Sequence, residues 1–476
     1  MAMSPNRVVN DYHSQLNETE VAEVAVIHCE HDIITAIHHA REKGYPICIA
    51  GGRGAMGGQQ FCAGALLLDT LGYNSLLHLD TKTGRVTCES GIVWPELLQK
   101  LDALQGNVAP DQQWTILQKQ TGADYFTLGG SVSANAHGRI LTHGPLGEDV
   151  CSLRVVMSDG TIKTCSRSEE SELFSLVIGG YGLFGVISTV ELQLVKRTVV
   201  QRHVTWEHVS HMPSLLEKMA STGYSYGDFQ FSCDENSPTF LTEGIMSCYK
   251  PVIAVHDEQS GRNELSEEDW RGLLVLGHVQ KSEAIRRYRD FYLSTHGQTY
   301  WHDTAQLSTY LKGYHEFVDV AMNAPHKCSE MITECNVPRS CLTAFMEEVR
   351  LFFKRENVNV IYGTVRLITA DKTSFLPWAK QDLACVIFNL HTEHTTERLS
   401  HTKEQFRHLI DITQQYGGTF YLTYHRWASK DQILKTYAEF PEFLRKKRQF
   451  DENELFQSSW YRHFKDMFAE DLKQTT

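Results

Sequence analysis

Between Thr127 and Arg139 the chain reads TLGGSVSANAHGR, a run that few folds can accommodate. Gly129 and Gly130 stand beside Ser131, Ser133 and Asn135, then His137 and Gly138, with almost no bulk between them. Paired glycines let a backbone approach a ligand closely, because no Cβ intervenes. Hydroxyl and amide side chains beside exposed N–H groups suit a polar, multi-oxygen ligand, so the segment predicts a glycine-rich binding loop. A second such run lies upstream. Tyr45 to Ala50 (YPICIA) reads as a short buried strand that empties into Gly51-Gly52-Arg53-Gly54-Ala55-Met56-Gly57-Gly58-Gln59-Gln60. A strand ending in a glycine loop supplies backbone donors of the kind that cradle phosphate oxygens.

Around these runs the periodicity alternates helix and strand. Asp32–Lys43 carries Ile33, Ile34, Ile37 and Ala40 at helical spacing and is stopped by Gly44. Strand–turn–strand patterns follow at Leu76–Asp80 with Arg85–Glu89, then a helix around Pro95–Leu104, and a second hairpin at Ser152–Met157 with Thr161–Cys165. Glu169–Val177 predicts a helix and Val186–Val195 a strand. Between them Gly180, Gly182 and Gly185 fit G-x-G-x-x-G, but that fingerprint needs a strand before it and a helix after it. Here the order is helix, glycines, strand, which excludes a Rossmann site. From about residue 199 the glycine clusters vanish, and amphipathic stretches such as Ser340–Arg355 mix with strands such as Val360–Ile368 and Cys385–Leu390. Asp257–Asp269 and TEHTTERLSH (Thr392–His401) both read as polar loops. The predicted division is 1–198, 199–412 and a C-terminal segment 413–476, in an α+β fold.

Composition narrows the function classes. A chain of 476 residues with 42% hydrophobic and 22% charged residues is that of a globular protein of more than one domain. A formal charge of −13 argues against nonspecific nucleic-acid binding. No apolar run is long enough to span a bilayer and the first residues lack a signal-peptide core, so no transmembrane segment and a cytoplasmic location are expected. The 12 cysteines are scattered, which favours free thiols. His391, His394 and His401 lack metal-site spacing, and no metal is expected.

Ala50–Phe61 and Thr127–Arg139, followed by the Ser152–Cys165 hairpin and ELFSLVIGGYGLFGVI, together resemble the FAD-binding module of the vanillyl-alcohol oxidase/p-cresol methylhydroxylase superfamily over about the first 195 residues. YLTYHRWASKDQI resembles the returning C-terminal piece of the decaprenylphosphoryl-ribose and sugar or polyol oxidases, and the tail is also similar to sterol Δ24-reductases. The resemblance implies a two-subdomain FAD-binding domain and an α+β substrate domain with an antiparallel sheet. It places the pyrophosphate on Gly51, Gly52, Arg53, Gly54, Ala55, Met56, Gly57, Gly58 and Gln59. Gly122, Thr127, Leu128, Gly129, Gly130, Ser131, Ala134, Asn135, Ala136 and His137 would flank the cofactor, Ile187 would face its adenine side, and Tyr421 would touch the flavin. Many relatives bind flavin covalently through a histidine in the first glycine loop. Here Gly54 and Ala55 occupy those positions and no histidine lies between His39 and His78, so noncovalent FAD is expected, with Cys62, just beyond the loop, the alternative tether.

With a flavin, the protein must orient the substrate carbon and provide an acceptor for its hydroxyl proton. Tyr424 and His425 are the expected acid–base residues, on a strand where Tyr421, Thr423 and His425 share one face and Tyr424 and Arg426 the other. Arg366, with Tyr362 and Thr364 on one strand face, suits a pocket wall for an oxygen-rich or anionic substrate. His137 lies within the flavin segment, within reach of cofactor or substrate. Glu334 with Asn336, and Asn389 with His391, form further same-face pairs. The expected activity is oxidation of a CH–OH group of a sugar, polyol or glycosyl lipid, with an unspecified electron acceptor. The alternatives are an NADPH-dependent C=C reductase and a flavin-binding scaffold without turnover.

Overall fold

A computed structural model describes residues 2–253, 262–311 and 313–473. Helix Glu30–Lys43 buries Ile33, Ala36, Ile37 and Ala40, and ends where Gly44 turns left-handed at φ 70°. The helix connects strand Thr19–Val26 to Ile47–Ala50, both parallel to Leu66–Asp69 in a four-stranded sheet. The two hairpins and Val186–Gln193 build a five-stranded antiparallel sheet, in the order Leu76–Asp80, Arg85–Glu89, Val186–Gln193, Val150–Val156, Ile162–Ser166. Helix Ser171–Val177 precedes the Gly179–Gly185 turn and a strand follows, the reverse of the order that the dinucleotide fingerprint requires.

Trp114–Thr115 and Val195–Lys196 form a two-stranded sheet, and the other strands form one eight-stranded sheet, with Val360–Ile368, Leu383–Glu393 and Cys328–Pro338 adjacent near one end. Strand alternation divides its residues between two environments. Met331, Cys335, Val337, Val365, Leu367, Val386 and Phe388 pack under helices Leu342–Arg355 and Thr396–Gln415. Glu334, Asn336, Thr364, Arg366 and Asn389 lie on the opposite face. The tail returns to the first sheet: Gln457 N–H donates to Ile47 O at 2.8 Å and Ser459 N–H to Phe61 O at 2.7 Å.

Four local expectations are corrected. Thr127–Arg139 is not all loop, because Leu128–Ala134 is a short helix capped by Thr127, whose hydroxyl accepts from Gly130 N–H. TEHTTERLSH is not a polar loop. It ends one strand and opens helix Thr396–Gln415, capped by Thr395, which runs through residue 412 where a domain boundary was expected. Ser266 and Asp269 form a capping box that starts helix Glu267–Val279, so the supposed loop at Asp257–Asp269 ends in a helix, while its residues 257–261 lie outside the described residues. The strand expected through Tyr421–Trp427 stops at Phe420. Its next carbonyls are engaged by side chains: Gln59 Nε2 donates to Thr423 O at 2.8 Å, and Trp460 Nε1 to Leu422 O at 3.3 Å.

Candidate active site

Strand Ile47–Ala50 delivers the first glycine loop against Tyr125–Thr127. A Cβ on Gly51 would lie 2.2 Å from Thr127 Oγ1, one on Gly52 2.1 Å from Tyr125 O, and one on Gly54 2.0 Å from the Phe126 ring. Only glycine permits this approach. The backbone N–H groups from Gly51 to Gly58 donate to no described residue. Unpaired backbone donors grouped in one loop form an anion-binding concavity. Arg53 adopts φ 57° and its guanidinium lies 2.6 Å from Asp69.

The second segment divides between packing and open surface. Leu128 is buried in the core and Gly129 packs on Ser90, while Gly130 is exposed. Ser131 Oγ accepts from Trp94 Nε1, and the Asn135 side chain bridges Gly147 N–H and Asp371. Ile187 lies in the hydrophobic core and Gly122 is exposed at φ 96°. Ala134 O accepts the Tyr421 hydroxyl, and Trp378 Nε1 donates to Asn135 O at 3.1 Å. Ala136 and His137 therefore enter the interior between the glycine helix and the large sheet.

There His137 meets Glu334, whose side chain is fully buried, with Nε2 3.1 Å from Oε1. Tyr424 donates its hydroxyl to Glu334 Oε2 at 3.2 Å. Burial, followed by the charge of Glu334, holds the Tyr424 phenol well above its ordinary pKa, so it is a proton-bearing donor. Register aligns Glu334 with Ile387 and Thr364, Asn336 with Cys385 and Arg366, and Ile332 with Asn389 and Tyr362. Thr364 Oγ1, Arg366 Nε, Asn389 Oδ1 and Asn336 Oδ1 are buried without protein partners. Each such atom costs about 1–3 kcal/mol if left unsatisfied, so this face offers a group of polar atoms to water or a polar ligand.

Of the four expected catalytic residues, His137, Tyr424 and Arg366 share this face and His425 does not. His425 stacks between Phe406 and Trp427, with ring centroids 4.6 and 5.3 Å away, and its Nε2 approaches Thr333 on the opposite side of the strand from Glu334. Burial pushes its pKa down to about 3. The hub, Glu334, was visible in the sequence only as one of several same-face polar residues. Two groups among the described residues have metal-ligand spacing, His137 with Glu334 and Cys385, and His278 with Glu330 and His391. Histidine spacing along the chain suggested neither.

A family profile described as an FAD-binding domain matches residues 21–166. The chain carries an FAD-binding domain. Among curated proteins it is 39% identical over 105 residues to cytokinin dehydrogenase 3 of Oryza sativa subsp. japonica, 22% of this chain and 18% of that protein. It is 28% identical over 162 residues to L-gulonolactone oxidase of Bos taurus, 34% of each chain. It is 27% identical over 267 residues to mitochondrial D-2-hydroxyglutarate dehydrogenase of Danio rerio, 51% of this chain and 48% of that one. These matches thus span between about a fifth and a half of the relatives' length. The fold matches 6-hydroxy-D-nicotine oxidase of Arthrobacter nicotinovorans with a TM-score of 0.57, covering 94% of this chain and 93% of that one at 16% identity. The unpaired N–H groups of Gly51–Gly58 fit the pyrophosphate of FAD. No helix among the described residues is long and apolar enough to cross a membrane.

Proposed function

We propose that this chain is an FAD-dependent oxidoreductase that oxidises a CH–OH group of a sugar, a polyol or the sugar end of a glycosyl lipid. The observation that carries the reading is Glu334, fully buried between His137 and Tyr424 on a sheet face of unpartnered polar atoms. Flavin, when bound, supplies the hydride acceptor. The chain supplies the rest. Thr364, Arg366 and Asn389 hold substrate oxygens, and Tyr424 and Glu334 receive the hydroxyl proton. His137 Nδ1 lies 3.1 Å from Gly138 O, which only accepts, so Nδ1 bears hydrogen and Nε2 is the nitrogen that faces Glu334 Oε1. As the carbinol C–H bond breaks and its electron pair leaves with the hydrogen, the O–H proton passes to the Tyr424 oxygen while Tyr424 gives its own to Glu334. The carbonyl then forms with the proton ending on the Glu334 carboxylate and no alkoxide left behind.

The guanidinium of Arg366 on the same face favours oxygen-rich substrates over ammonium ions, which separates this reading from amine oxidation. Noncovalent FAD is part of the proposal. Gly54 and Ala55 carry no nucleophile, and Cys62 is fully buried among Val9, Val21, Cys48 and Leu67, where desolvation pushes its thiol up to about 11. The test is anaerobic mixing of the flavoprotein with a panel of aldoses and polyols. Bleaching of the visible flavin band by a panel member supports the reading. A flavin that no member reduces, but NADPH does, would replace it with the reductase alternative.

A further inference from the structure

A second buried carboxylate occupies the same face of the same strand. Glu330 precedes Glu334 by four residues, which puts it about 13 Å away along Cys328–Pro338. It is 3% exposed, and histidines from three elements converge on it. His278, on helix Glu267–Val279, places Nε2 2.7 Å from Oε1. His391, directly opposite Glu330 in the sheet register, places Nδ1 3.1 Å from the same oxygen. His315, on helix Tyr314–Met322, places Nδ1 3.2 Å from Oε2, and the Tyr314 hydroxyl donates to that oxygen.

The tautomer of His278 is fixed from outside. Its Nδ1 lies 2.8 Å from Leu274 O, a carbonyl that only accepts, so Nδ1 carries hydrogen. A neutral ring then points the bare lone pair of Nε2 at a carboxylate oxygen. Two lone pairs at 2.7 Å repel unless a positive charge lies between them. Ligating histidines have this arrangement, with the far N–H held by a backbone carbonyl and the near nitrogen turned to the metal. The Nε2 atoms of His315 and of His13, whose rings are 6.1 Å apart, are buried without partners beside the cluster.

We propose that His278 Nε2, His391 Nδ1 and Glu330 form a site for a divalent transition cation of the zinc class. These ligand atoms all lie within 4.8 Å of one another. Two imidazoles and a carboxylate are a donor set such cations accept. Bound there, the ion ties helix Glu267–Val279 to the large sheet and leaves the chemistry to the Glu334 chamber.

The test uses the full-length flavoprotein, stripped with EDTA and titrated with Co2+ and then Zn2+. The expected result is one equivalent of Co2+ per chain, with visible ligand-field bands that Zn2+ abolishes. His278→Ala and His391→Ala should each weaken Co2+ binding by about tenfold or more, with flavin content unchanged. Wild-type protein that is folded and flavin-loaded but takes up neither ion would overturn the proposal and leave a His278–Glu330 ion pair in its place. Undiminished Co2+ affinity in both variants would overturn it as well. If one variant does not fold, the other decides together with the wild-type titration.

Discussion

A Cβ on Gly130 would meet only Thr127 Oγ1, at 3.0 Å, whereas one on the adjacent Gly129 would sit 2.7 Å from Ser90 Cβ. Gly129 is therefore a packing residue, and Gly130 keeps surface clear for a ligand. Gly130→Val should leave the protein folded, because valine is a better helix former than glycine, yet abolish FAD retention. Flavin content at the wild-type level in that variant would remove the segment from the cofactor site. The same separation applies to Tyr424 and His425. Tyr424→Phe deletes the hydroxyl on Glu334 and should slow flavin reduction by about a hundredfold. His425→Ala leaves a hole between Phe406 and Trp427 and should lower stability by about 3 kcal/mol, with the reduction rate of the folded protein unchanged. Equal reduction rates in wild type and Tyr424→Phe would exclude the phenol from proton transfer.

Individual elements show where sequence patterns suffice. Strand Val360–Ile368 and helix Glu30–Lys43 with its Gly44 stop were legible because local periodicity and one glycine determine them. Helix Thr396–Gln415 was hidden because its first turns are polar, and its apolar face, Phe406, Leu409, Ile410 and Ile412, begins only in the third turn. The Tyr421–Trp427 turn was not legible at all, because Gln59, more than 360 residues away in sequence, takes the carbonyls a strand would have used. The tail that carries Tyr424 depends on another buried contact. Asp451 pairs with Lys447, both almost wholly buried, and accepts from Leu455 N–H at 3.0 Å and Phe456 N–H at 2.8 Å. Leu455 O in turn accepts from Ile47 N–H at 2.7 Å, on the strand that feeds the first glycine loop. Asp451→Ala leaves a buried ammonium unpaired and should cost about 3–5 kcal/mol, measured by denaturant unfolding. A loss under 1 kcal/mol would show that the tail is held without it.

For the molecule as a whole, both glycine runs and the absence of a Rossmann fingerprint were readable in sequence, and they point to the cofactor. The substrate chamber was readable only in pieces. Arg366, Asn389 and Glu334 lie on three strands, and only the sheet register sets them side by side. His137 reaches them from a segment almost 200 residues earlier than Glu334. That convergence of cofactor segment and polar sheet face is the central claim, and Glu334 is its hub. The most direct measurement is the anaerobic rate of flavin reduction by an active sugar or polyol in wild type and in Glu334→Gln, at equal flavin occupancy. The account predicts full flavin binding in the variant and a rate lower by about a hundredfold or more. Equal rates in the two proteins would contradict it.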